Sequence, residues 1–138
     1  MALLDVNALV ALGWDSHVHH RAIREWFGDQ AGSGWETCPI SESGFVRISS
    51  NPRILPHRID VRSAIGFLGE LRKVGKHRFL SDDVSVTDSD FPEVHGYRQV
   101  TDTHLLTLAR RNSVPLLTFD SAIAEMAEPG EVVLLSRG

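Results

Sequence analysis

The sequence predicts an α/β fold: a three-layer α/β/α domain with a central parallel sheet of about five strands. Five short apolar runs have the length of strands and are bounded by turn-type residues. Between them lie apolar residues at helical spacing, and strands alternating with helices form a parallel sheet covered on both faces and joined by right-handed crossovers. The 138 residues hold no internal repeat, low-complexity tract or linker, so residues 1–138 read as a single domain.

Ala2 to Leu4 form the first run, closed by Asp5 and followed by the apolar stretch Ala8 to Leu12. Val18, Ala22, Ile23, Trp26 and Phe27 make a helical stripe that Asp15 and Ser16 are suited to cap. Trp35 to Thr37 is the second strand, and Ser41 is placed to open a helix that Pro52 must end. Asp60 is suited to cap the next stripe, Val61, Ala64, Ile65, Leu68 and Leu71, before a third strand from Arg78 to Leu80. Leu105, Leu106, Leu108 and Ala109 make a third stripe. Pro115 to Thr118 and Val132 to Leu135 are the last strands, with a helix carrying Ile123 and Met126 between them.

With 42% apolar and 23% charged residues, the chain suits one compact domain with a real core, not a multidomain enzyme. Cys38 is the only cysteine, which excludes an intramolecular disulfide and a thiolate zinc site and makes a reducing cytoplasm the default. No basic leader precedes the first apolar run and Asp5 interrupts it, so neither a signal peptide nor a membrane span is expected. The net charge of -4 is unevenly spread: Gly44 to Arg78 holds eight Lys/Arg against Asp60 and Glu70, whereas Ser81 to Glu93 holds five acids and no base. The first stretch suits an anion, because Arg, with its planar fork, dominates it.

In open α/β sheets, chemistry gathers where the carboxyl ends of strands meet helix starts. Asp5, Glu42, Asp102 and Asp120 all fall at such junctions. Each can be read as a helix-start acid that caps amides and suits the dipole. Asp5 fits that reading least, since Asn7 is an equally good cap; Asp15 and Asp60 fit it well. Should the four carboxylates converge, charges about 4 Å apart repel by roughly 4 kcal/mol per pair at an effective dielectric near 20. Protons or a divalent cation must then neutralise them, and an all-oxygen set selects magnesium or manganese over zinc. Such an ion activates water beside a phosphate, so the acid set suggests phosphodiester hydrolysis.

The segments Leu-Leu-Asp-Val-Asn-Ala-Leu (3–9), Thr-Cys-Pro-Ile-Ser-Glu-Ser-Gly-Phe-Val-Arg (37–47), Val-Thr-Asp-Thr-His-Leu-Leu-Thr-Leu-Ala (100–109) and Leu-Thr-Phe-Asp (117–120) resemble a PIN domain. More narrowly, they resemble the VapC toxins of bacterial toxin-antitoxin pairs, in order and over nearly the whole chain. The resemblance implies that Asp5, Glu42, Asp102 and Asp120 are the metal-binding acids, around one or two magnesium ions, with Asn7 and Thr118 as the polar support that orients them. It further implies a magnesium-dependent endoribonuclease that inhibits translation by cutting RNA, restrained by a cognate antitoxin, and a homodimer. Arg47 to Arg78 is the stretch suited to RNA phosphates and to an acidic antitoxin segment alike. His104 is a departure, since toxins of this kind often carry an aromatic residue there.

Other features compete less well. His17, His19 and His20 read as the exposed first turn of a capped helix rather than a metal site. Cys38 is followed by Pro39 and has no patterned base, which suits a buried thiol and not a nucleophile. A phospho-receiver domain would need a lysine after a late strand, but Lys73 and Lys76 both precede the third. A PIN-like module that binds RNA or protein without cutting is the remaining alternative, and the complete acid set argues against it.

Overall fold

In a computed structural model, which describes residues 1–54 and 59–136, the chain folds around one five-stranded sheet. The strands are β1 (Leu3–Leu4), β2 (Trp35–Thr37), β3 (His77–Phe79), β4 (Leu116–Thr118) and β5 (Val132–Leu134). All pair in parallel, in the order β3-β2-β1-β4-β5, with Leu3 in register with both Glu36 and Leu116. The helices are α1 (Val6–Gly13), α2 (His20–Gln30), α3 (Pro39–Ser49), α4 (Val61–Leu71), α5 (Val100–Arg111) and α6 (Ser121–Met126).

Strand side chains alternate between the faces, and the core divides accordingly. Leu4, Trp35 and Leu117 join Leu9, Ile23, Phe45 and Leu68 of α1 to α4 in one buried cluster. Leu3, Cys38 and Leu116 join Leu105, Leu106, Leu108 and Ile123 of α5 and α6 in another. The expected three layers and parallel sheet are therefore present, and every strand lies within about a residue of its apolar run.

Helix starts differ more. Asp5, not Asn7, is the N-cap of α1, its Oδ1 accepting the Ala8 N–H at 2.7 Å. The second helix begins at His20 and is not capped by Asp15 or Ser16, because tight turns from Trp14 O to His17 N and from His17 O to His20 N hold residues 14–19 outside it. Val18, expected in its apolar stripe, is consequently exposed. The third helix opens at Pro39, a residue suited to the first helical position, and Ser41 is its third residue, accepting the Cys38 N–H at 3.0 Å. Of the stripe on α4, Ala64 and Leu68 are buried, whereas Val61 and Ile65 are exposed.

The acid-rich stretch after β3 folds back on α5. Arg111 meets Asp83, Asp88 and Asp90 at 3.5, 2.7 and 2.5 Å, and His104 meets Asp82 at 2.7 Å. Its charge is thus largely answered within the chain. Among the described residues no helix is long and apolar enough to cross a membrane.

Candidate active site

The carboxyl edge of the sheet assembles the acids in the way the topology dictates. Asp5 leaves β1, Asp120 lies two residues past β4, Asp102 stands in the first turn of α5, and Glu42 lies in the first turn of α3. Alternation sends Asp5 and Thr118 toward the α5 side. Asp5 is only 5% exposed, and Thr118 is fully buried.

Burial first, and then the charges of Asp102 and Asp120, push the Asp5 carboxyl up to about 6. Hydrogen bonds from the Thr118 hydroxyl and the Ala8 amide pull the other way without prevailing. Asp102 is also raised, by burial first and then by Asp120. Asp120 caps α6 through the Ala122 N–H at 2.9 Å, and its own N–H donates to Thr118 Oγ1 at 3.0 Å. Three aspartates therefore sense one another across this edge, with Thr118 joined to two of them.

Glu42 is engaged differently. The buried Thr37 hydroxyl donates to its Oε2 at 2.5 Å, and Arg72 lies 3.3 and 3.4 Å from its two oxygens. Among the described residues no three His, Cys, Asp or Glu side chains already stand where one ion could be shared. Asn7 is exposed on the first turn of α1. His104 turns toward Asp82 and packs edge-on to Phe91.

The surroundings of Glu42 were not anticipated from sequence: Thr37, His77 behind it, and Arg72, which the sequence placed only in the Arg-rich stretch suited to RNA or antitoxin. Thr37 has the signal that Thr118 has, a threonine ending an apolar strand shortly before an acid. Arg72 and His77 reach the site only through tertiary pairing. The histidines of 17–20 serve local structure: His17 Nδ1 accepts the His19 N–H, His20 Nδ1–H donates to Ala11 O at 2.7 Å, and the His19 ring stacks on Phe119 at 4.1 Å.

Beside the acids, α3 and α4 leave an open groove of about 650 Å³ lined by Glu42, Val46, Arg47, Val61, Ile65 and Phe79. Among the described residues, Arg47, Arg53 and Arg62 have no ion-pair partner, whereas Arg72, Lys73 and Arg78 pair with Glu42, Glu70 and Glu36. Arg58 lies outside the described residues.

Comparison with known proteins shows the family of the chain. Residues 2–129 match the PIN domain family. The chain is 61% identical over 128 residues to Ribonuclease VapC38 of Mycobacterium tuberculosis, spanning 93% of this chain and 91% of that protein. It is 44% identical over 137 residues to Ribonuclease VapC39 of the same organism, spanning 97% and 99%. To Ribonuclease VapC44 it is 43% identical over 132 residues, spanning 94% and 92%.

Proposed function

The chain belongs to the PIN domain family, and from that premise we propose that it is a magnesium-dependent endoribonuclease. It acts as the toxin of a type II toxin-antitoxin pair, hydrolysing RNA phosphodiester bonds and so inhibiting translation. The observation that supports this best is the convergence of Asp5, Asp102 and Asp120, two of them with raised carboxyl pKa, at the carboxyl edge of the sheet. RNA as the substrate class follows the relatives, which are named ribonucleases.

The donor set fits a hard dication. It is all oxygen, and its charges repel, so Mg²⁺, or Mn²⁺ in its place, relieves what burial and proximity impose. Asp5, Glu42, Asp102 and Asp120 would hold it, and it would supply activation of water and neutralisation of phosphate charge. The chain's own contribution is placement. Asp5 is fixed by its cap bond and by Thr118, and the same hydroxyl steadies the Asp120 backbone. In this reading residues 1–138 act as one nuclease domain in the cytoplasm and pair as a homodimer.

The groove between α3 and α4 suits the cognate antitoxin: its apolar floor and Arg47, which has no ion-pair partner among the described residues, fit an amphipathic acidic segment with a basic side chain reaching the acids. That among the described residues no three acids stand at ligand spacing is the one observation favouring a non-catalytic binding module. Cleavage separates the two readings. The metal-replete domain should cut single-stranded RNA, lose activity in chelator, and leave 5'-phosphate and 3'-hydroxyl ends. Products with 2',3'-cyclic phosphate, or activity that survives chelation, would overturn the proposal.

A further inference from the structure

Thr37 ends β2 with its side chain fully buried, and its hydroxyl meets two partners, Glu42 Oε2 at 2.5 Å and His77 Nε2 at 2.7 Å. A hydroxyl has one proton to give, and a carboxylate only accepts. The Thr37 proton therefore goes to Glu42, and its lone pair takes the N–H of His77 Nε2. That assigns His77 the Nε2–H tautomer. Its ring is pinned in turn: Trp35 packs edge-on against it at 4.7 Å, and Trp35 Nε1 donates to Val74 O at 2.8 Å. Burial and the nearby Arg72 charge push the His77 imidazole down to about 4, so it is neutral at pH 7.

The other holder of Glu42 is weaker. Arg72 touches both carboxylate oxygens at 3.3 to 3.4 Å from a guanidinium that is 39% exposed. Such a contact sets no single position for a side chain with three rotatable bonds. We propose that Thr37, oriented by His77, is a positioning residue that fixes the Glu42 carboxylate at the sheet edge for the divalent metal. This inference rests on the reading above that Glu42 is one of the metal-binding acids.

The test is a Mn²⁺ titration of the metal-free full chain, with melting curves to confirm folding, for wild type, Thr37→Ser, Thr37→Val, Glu42→Gln, Asp5→Asn and the double variant Thr37→Val/Glu42→Gln. Thr37→Ser keeps the hydroxyl and should bind within about twofold of wild type, whereas Thr37→Val should bind about tenfold more weakly. The double variant should be no weaker than Glu42→Gln alone, because Thr37 acts through Glu42. Long-range ¹H–¹⁵N spectra should show His77 protonated at Nε2. Wild-type affinity in Thr37→Val, equal losses in the Ser and Val variants, additive losses in the double variant, or an Nδ1–H tautomer would each overturn the positioning role. If Thr37→Val does not fold, His77→Leu takes its place, and wild-type affinity there overturns the role equally. Weak binding by Asp5→Asn and Glu42→Gln alongside unchanged Thr37→Val removes only this inference. Unchanged binding by Asp5→Asn and Glu42→Gln removes the metal-site reading and this inference with it.

Discussion

Thr118 holds Asp5 from the neighbouring strand: its hydroxyl donates to the buried Asp5 carboxylate while its oxygen accepts the Asp120 N–H at 3.0 Å. One side chain thus ties together two acids that come from opposite ends of the chain. The tie orients Asp5 but does not offset its desolvation, which still raises its pKa to about 6.

That imbalance predicts a pH-dependent difference between metal-free wild type and Asp5→Asn. A carboxyl raised from 3.8 to about 6 on folding contributes stability that is complete below the lower value and lost as pH rises through the upper one. At pH 7.5 the ionised Asp5 costs about 3 kcal/mol, so Asp5→Asn, which keeps an acceptor for the Ala8 N–H, should melt about 10 °C higher. By pH 4 the gap should close. The difference between the two proteins is the quantity to follow, because His77, lowered from 6.5 to about 4, has the opposite sign. Its contribution is present above 6.5 and lost as pH falls. A gap that does not change between pH 7.5 and 4 would contradict the assignment.

The fold was largely legible because the strands are short runs closed by turn residues; the central β1, β2 and β4 are buried throughout, and only the edge strands β3 and β5 are partly exposed. Helix starts were less so. Asp15 and Ser16 look like caps, yet two successive tight turns through His17 delay α2 to His20. Asp5 looked ill suited to capping and does cap α1, so a candidate metal-binding acid and a structural cap are one residue. Junction position singled out the acids as candidates, but the engagement of Glu42 by Thr37 and Arg72 depends on pairing across 5 and 30 residues that no local pattern encodes.

Packing of α3 on α1 gives a second prediction. A Cβ at Gly44 would lie 2.7 Å from both methyl groups of Val6, so Gly44→Ala forces the two helices apart. Overpacking of this kind costs about 1–3 kcal/mol, more than the roughly 1 kcal/mol gained in helix propensity. Gly66 on α4 has no neighbour among the described residues within 4 Å of such a Cβ, so Gly66→Ala should gain about 0.5–1 kcal/mol. Thermal melts should move in opposite directions; a stabilising Gly44→Ala would disprove the close approach.

The proposed antitoxin surface predicts a third result. Arg47→Glu and Arg62→Glu reverse charges that have no ion-pair partner among the described residues, so neither change breaks a pair among them. Each should weaken the complex formed with the protein of the adjacent gene by about tenfold, mostly through association at low salt, while leaving the melting temperature of the free chain unchanged. Wild-type affinity in both variants would place the interface elsewhere.

The last prediction turns repulsion among the acids into a measurement on Asp102→Asn. Asp102 stands in the first turn of α5, where the helix dipole favours a negative charge, yet its pKa is raised, so burial and Asp120 outweigh the dipole. Removing the charge while keeping the shape should therefore leave the metal-free protein at least as stable as wild type. With Mg²⁺ the order should reverse, because wild type gains RT ln(1 + [L]/Kd), about 2.7 kcal/mol at a hundredfold excess over Kd, whereas the variant binds weakly. That gain corresponds to about 10 °C in Tm for a chain of this size, and cleavage should be lost with or without added metal. A helix-start acid with no role at the site behaves differently: Asp102→Asn would melt lower without metal, Mg²⁺ would shift both proteins alike, and RNA would still be cut.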